Sequence, residues 1–206
     1  EFFSCLGAEV VLPETIEEQG ICKQGAAFCY PMQDAHDVFA ALLQLDVDYY
    51  FLPLIKELPD RGNDTRSHTC IFVRSEPCVL KAAFDGLLDK RKILSPTLDF
   101  SGGISSMESE FVKVGRALGF LNGPSRAAFH KAVRKQESLN DELRRIGAQP
   151  ISTVESDASA IAVVLFGRPY SALNGRLNMG IPHKLATQGI HVIPFDCLPL
   201  EQAPKE

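Results

Sequence analysis

The sequence predicts an α/β fold in which helices flank mainly parallel sheets, and three observations carry that reading. Short runs rich in Val, Ile, Leu and aromatic residues alternate with longer segments of helical period, the rhythm of βα units. The last third reads as a compact βαβ unit: "AIAVVLFGRP" (160–169) as a buried strand, "LNMGIPHKLATQG" (177–189) as a helix stopped by Gly189, and "IHVIPFD" (190–196) as a second strand. Between these regions, residues 124–149 form the longest helical pattern, with Pro124 near its start and Gly147 near its end, as helix termini prefer.

Taken in order, "EFFSCLG" reads as the last turn of a helix stopped by Gly7, and "AEVVLP" (8–13) as a first strand. An element met in mid-course, in a chain without an initiator methionine, predicts a fragment of a longer polypeptide. "QDAHDVFAALLQL" (33–45) places Ala35, Val38, Phe39, Leu42 and Leu43 on one helical face, and "VDYYFLP" (47–53) reads as a strand ended by Pro53. The polar stretch 56–69, with its Pro, Gly and Asn-Asp signals, reads as a long surface loop. "CIFVR" (70–74) is a predicted strand, 77–92 a helix, 93–100 a short strand, and 106–120 a helix with Phe111, Val114 and Leu118 inward. The predicted organisation is a first α/β lobe over 1–123, a connecting helix over 124–149 and the βαβ unit of a second lobe over 150–206, Rossmann- or flavodoxin-like in kind.

Composition narrows the function classes. At 206 residues, the chain is long enough for one large domain or two small ones. Apolar content of 45% with 23% charged residues reads as soluble and globular. A net charge of -5, a pI near 5.6 and the lack of a dense Lys/Arg cluster exclude an electrostatic footprint for nucleic acid. The longest apolar runs fall far short of the roughly 18 to 20 residues of a membrane span, and no signal-peptide pattern is present, so the expected location is cytoplasmic.

Six cysteines (5, 22, 29, 70, 78 and 197) in such a chain point to buried thiols or metal ligands instead of a disulfide framework. Cys5 and Cys197 sit in apolar settings and read as core. Cys29 falls in a loop before a helix and Cys70 follows the polar loop. Neither Cys22 with Cys29 nor Cys70 with Cys78 has zinc-knuckle spacing, but thiolates from separate loops suit an iron–sulfur cluster. His36 and His68 are further candidates, though a histidine in a helical turn is more often a surface or satisfied core residue. His130, His183 and His191 have no sequence neighbours that suggest a site. The acidic groups at 17–18 and 108–110 read as solvated helix turns, not an acid and base pair.

A second candidate is "FGRPYSALNGRLNMGIPHKL" (166–185), where glycine, Arg168, Tyr170, Asn174 and Asn178 follow a parallel strand, the place where open α/β sheets put ligands. The spacing is not that of a nucleotide-binding loop. These residues either hold a polar ligand or shape a strand-to-helix loop that docks on another lobe. No hydrolase or zinc-protease signature is present.

"LGAEVVLPETIEEQG", "FCYPMQDAHDVFAALLQLDVDYYFLPLI", "TCIFVRSEP" and "LFGRPYSALNGRLNMGIPHKLATQGIHVIPFDCLP", in that order, resemble the domain of unknown function attached to 2-hydroxyacyl-CoA dehydratase activases, a relative of the 2-hydroxyglutaryl-CoA dehydratase subunits. The family's Cys-(Phe/Tyr)-Pro motif is matched by Cys29, Tyr30 and Pro31, and its second cysteine by Cys70. The chain departs from the family pattern at Ala27, Phe28 and Ile71 and keeps only His36 of a histidine pair. The resemblance implies that Cys29 and Cys70 ligate a [4Fe-4S] cluster, in an iron–sulfur module of ATP-driven, low-potential electron transfer in anaerobic metabolism. The remaining ligands would come from Cys22 or Cys78, from chain outside this sequence, or from a second subunit of a homodimer. Implied partners are the ATPase domains of the same or a neighbouring activase chain and a dehydratase-like protein. The alternative is a non-catalytic docking domain that has lost the cluster.

Overall fold

The structure is a computed structural model in which residues 1–14, 16, 20, 29–59, 68–88 and 92–198 are described. It is a mixed α/β architecture, mostly helical, with its described strands in parallel pairs. The chain divides into two compact units, Glu1–Lys135 and Gln136–Glu206, and the division falls within one long helix.

In the first unit, the helix α1 (Phe2–Cys5) ends at Gly7, whose φ of +84° lets the chain turn away as predicted. Residues 8–13 form no strand: Val10, Val11 and Leu12 are exposed and unpaired in any sheet, so their β propensity has no neighbouring ladder to join. The helix α2 (Tyr30–Leu42) follows, then β1 (Tyr50–Phe51) and β2 (Leu54–Glu57). The predicted strand at 70–74 is instead the start of a helix, α3 (Ile71–Ala83). Ile71 is exposed and Phe72 and Val73 are half-buried, and periodicity over so short a run does not separate strand from helix. The strands β3 (Ile93–Leu94) and β4 (Thr97–Asp99), then α4 (Glu108–Ala117), complete the unit with the first part of α5 (Asn122–Ser156).

β1 pairs with β3 and β2 with β4, both parallel, in registers Tyr50↔Ile93 and Leu54↔Thr97. The pairs form one ribbon interrupted at Pro53 and Pro96, since proline brings no N–H to a ladder. The junction is held by Leu52 N–H donating to the Leu94 carbonyl at 2.8 Å, Leu54 N–H to Pro96 at 2.9 Å, and the Ser95 hydroxyl to Leu52 at 2.8 Å.

Strand alternation sends neighbouring side chains to opposite faces, and the core divides accordingly. Phe51 and Leu94 join Phe2, Val114, Ala128, Phe129 and Val133 beneath α1, α4 and α5. Leu52 and Ile93 join Phe39, Ala40, Leu80 and Phe84 beneath α2 and α3. Edge-to-face rings tie each layer, Phe2 to Phe111 at 5.0 Å on one side and Phe39 to Phe84 at 5.3 Å on the other.

The second unit contains the later part of α5, β5 (Ala162–Leu165), α6 (Pro169–Ala172), α7 (Ile181–Ala186) and β6 (His191–Pro194). β5 and β6 are parallel, Ala162↔His191 through Leu165↔Pro194, which is the predicted βαβ unit. β5 is half-buried, not buried as expected, and β6 is half-buried except at Ile193, which is 2% exposed.

Helix α5 outruns its predicted end. Its 35 residues continue past Gly147 and Pro150, a length of about 52 Å at 1.5 Å per residue. Gly147 is no stop: a Cβ there would strike the Cys197 carbonyl, so the missing side chain lets the turn after β6 lie against the helix backbone.

Candidate cysteine site at the edge of the parallel strands

Cys29 is the N-cap of α2 and Cys70 the N-cap of α3. Neither side chain makes a capping hydrogen bond, so each thiol lies beside a helix N-terminus whose first amides point outward. Pro31, in the first turn of α2, suits that position because the N–H it lacks would have no helical partner.

The packing sets the C-terminal parts of both helices on the same face of the strands. The C-terminal parts of α2 and α3, through Phe39, Ala40, Leu80 and Phe84, lie on Leu52 and Ile93, and Phe39 meets Tyr50 at the start of β1 with ring centroids 6.1 Å apart. Each helix therefore has its C-terminal part over the beginning of the ribbon, on one face. For α3 the other end is pinned as well. The Thr69 hydroxyl donates to the Ile55 carbonyl at 2.7 Å and its amide to Lys56 at 3.4 Å, which ties the residue before Cys70 to the end of β2. In open α/β sheets the C-terminal edge of the strands is where ligands bind.

Two ion pairs mark the same edge. Lys56 Nζ lies 2.7 Å from Asp99 Oδ2, joining β2 to β4, and the Ser101 hydroxyl and amide donate to Asp99 Oδ1 at 2.6 and 3.1 Å. The Lys56 hydrogen bond, aided by those from Ser101, holds the Asp99 carboxyl far below the usual range, and Asp99 in turn raises Lys56. His68 Nδ1 lies 3.3 Å from Glu57 Oε1, across an isolated antiparallel bridge between the same two residues.

The other thiols separate. Cys29 and Cys78 are exposed, Cys70 and Cys5 half-buried, and Cys197 buried. Cys78 is eight residues along α3 from Cys70, about 12 Å up the axis, too far for one cubane to take both thiolates without movement. Cys5 packs in the aromatic layer and Cys197 beside α5, the core roles expected of them. Burial, and then the Asp196 charge, push the Cys197 thiol up. Cys22 and the acidic pair at 17–18 lie outside the described residues.

His36 is 1% exposed, its Nδ1 is 2.8 Å from the Met32 carbonyl and its ring lies against Phe84, a satisfied core histidine. Asp37, also buried, accepts from the Gly20 amide at 2.8 Å, and Asp34 is buried on the same helix. Hydropathy placed Ala35, Val38, Leu42 and Leu43 inward, but these are half-buried while polar Asp34, His36 and Asp37 occupy the interior. Glu76 on α3 is a further group the sequence did not flag, its carboxyl raised by burial. His130 does find a partner: Glu108 bridges its Nε2 at 2.9 Å and Arg126 Nε at 2.6 Å, fastening α4 to α5.

Among the described residues, no group of three or more His, Cys, Asp or Glu side chains converges on a point. They therefore offer no complete four-ligand site. The donor set that is present, two thiols at helix N-termini, has the chemistry of two ligands to an anionic iron–sulfur cluster, because the helix dipoles favour negative charge there.

In the second unit the predicted loop residues shape their own turn. The Asn174 Oδ1 accepts from the Arg176 amide at 2.9 Å, and Asn178 bonds the Ala172 carbonyl through Nδ2 at 3.2 Å and the Gly180 amide through Oδ1 at 2.9 Å. Arg168 is the exposed N-cap of α6, and Tyr170 is half-buried. No helix among the described residues is long and apolar enough to cross a membrane.

No curated protein matches this chain. No solved structure matches it. The family profile described as "CoA enzyme activase uncharacterised domain" matches residues 1–198, nearly the whole of both units, including Cys29, Cys70 and the loop from Arg168 to Asn178, and the chain belongs to that family.

Proposed function

We propose that this activase-associated domain is an iron–sulfur module for low-potential electron transfer, with Cys29 and Cys70 as two ligands of a [4Fe-4S] cluster. The observation that carries the reading is that each thiol is an N-cap, on one of two helices packed on the same face of a parallel ribbon. A bound cluster would supply one-electron chemistry. The chain's contribution is to hold two thiolates where helix N-termini stabilise negative charge, with Cys70 fixed to β2 through Thr69. The other two ligands fall to Cys22, to chain beyond this sequence, or to a second subunit. The ribbon, with helices on both faces, is read as part of a doubly wound, flavodoxin-like sheet, and the electron is supplied by ATPase domains of the activase and passed to a dehydratase-like partner.

Anaerobic reconstitution of the full-length protein with iron and sulfide should give bound iron, acid-labile sulfide and the broad visible absorption of thiolate-ligated clusters. Cys29→Ala with Cys70→Ala should abolish all three. Retention of iron by the double variant, or its absence from the reconstituted wild type, would defeat the proposal.

A second reading is favoured by one observation, the exposure of Phe166 and Met179 at 72% and 71% around the Arg168 loop. There the domain docks on the ATPase domains without a cluster. Co-purification of those domains should then survive the cysteine replacements and weaken with Arg168→Ala.

A further inference from the structure

We infer that the edge formed by Phe166, Arg168, Leu173, Met179 and Ile181 receives a protein surface whose apolar side chains are surrounded by carboxylates. This rests on the docking reading and gives the partner its chemistry. Phe166, Arg168, Leu173 and Met179 lie on the connection that leaves β5 at its C-terminal end, and Ile181 opens α7. Leu173 and Ile181 are each 47% exposed, so with Phe166 and Met179 four large apolar side chains face out within sixteen residues. Exposed apolar clusters of this kind mark interaction sites. Phe166 is held in place by the Phe195 ring at 5.0 Å.

Met179 adds an independent sign. It is the one non-glycine residue with positive φ among the described residues, at 56°, a left-handed conformation that costs free energy in a residue with a Cβ. The Asn178 bonds to Ala172 and Gly180 on either side maintain it. Among the described residues the strain is not repaid by burial, since the Met179 side chain is left projecting.

Charge selects the partner. From residue 166 to 186, the connection after β5 together with α7, the chain has no Asp or Glu, while it carries Arg168, Arg176 and Lys184 with His183, in a protein whose net charge is -5. Asp196 stands at the same edge after Phe195 and offsets one of the three cations. Two copies meeting through this edge about a two-fold axis would oppose cation to cation, so a second copy is disfavoured. Side chains that stand off the surface, instead of lining a cavity, fit a protein better than a small ligand.

The probes are two labelled peptides with the same Leu and Phe spacing, one flanked by Glu and one by Lys, titrated with the protein by fluorescence anisotropy. The Glu peptide should bind at least about tenfold more tightly and lose affinity with added salt. Phe166→Ser and Arg168→Glu should each weaken it. Met179→Gly, which removes the strain, should weaken binding while the thermal midpoint holds or rises, separating docking from folding. Equal binding of both peptides, binding of neither, or binding only to phosphatidylserine vesicles overturns the inference. Purified ATPase domains distinguish the two levels. If they bind in a way that Phe166→Ser and Arg168→Ala weaken, while the Glu peptide is not preferred over the Lys peptide, docking stands and the acidic partner falls. If the Glu peptide binds but the ATPase domains do not, the acidic preference stands and that docking partner falls.

Discussion

Asp99 and Lys56 show how one residue pair can serve the whole edge. The pair crosses from β2 to β4 at their C-terminal ends, where register alone would leave two short strands weakly held. Because the folded-state pKa of Asp99 is depressed, its contribution to stability is present above the unfolded carboxylate value near about pH 4 and is lost as the pH falls through that range and below. Lys56 is raised, so its contribution is present below the unfolded value of about 10.4 and is lost above it. Thermal midpoints of Asp99→Asn followed from pH 7 to pH 2 should therefore decline less steeply than those of the wild type. Parallel curves would place the acid sensitivity elsewhere. Neither residue carried a signal in the sequence, since a lysine and an aspartate 43 positions apart are joined only by strand pairing. The same holds for Thr69, whose bonds to β2 need the tertiary fold to exist.

At the scale of elements, glycine chemistry explains both a success and an error. Gly7 and Gly189 have φ of +84° and +78° and do end the local structure as expected. Gly147 has the same identity and a different cause. It stays helical, and its missing Cβ makes room for the Cys197 backbone. In an isolated helix Gly147→Ala would gain roughly 1 kcal/mol from propensity. Here the new methyl meets backbone that cannot rotate away, an overpacking that typically costs about 1–3 kcal/mol. A lower denaturation midpoint for Gly147→Ala is thus the expected result, and an increase would show that the turn after β6 moves freely from α5. The misread strand at 70–74 has a related origin. "CIFVR" has strand composition, but Thr69 anchors the chain at the end of β2 and the following residues turn into α3, which buries Pro77 and Leu80. That placed Cys70 at a helix N-cap instead of within a strand.

Across the whole molecule, the two units each have their own buried residues. In the first, Phe39, Leu80 and Phe129 are almost completely enclosed, and in the second Ile193, Ala172 and Cys197 are. Truncating Ile193 to Ala should cost about 2–5 kcal/mol within its own unit. Hydrogen exchange on Ile193→Ala should show faster exchange over 162–198 and unchanged protection over 30–57. Uniform loss of protection would mean that the units unfold as one.

Much of the architecture was legible in the order of hydrophobic runs. The presence of helices near 30–42 and 108–117 and of one from about 122 to Gly147, the short strands near Tyr50 and Ile93, and the final βαβ unit follow from period and turn residues, because these depend on neighbours within a few positions. The sequence also singled out Cys29 and Cys70, by their motif setting. What it left open was decided by contacts between distant segments. Packing on Leu52 and Ile93 sets both helices on one face of the ribbon, each begun by one of the two cysteines, and the helix over 71–83 separates Cys78 from Cys70 by about two turns. The exposure of Phe166 and Met179 belongs to the same class, since burial is a property of everything that surrounds a side chain, and a sequence states only what the side chain is.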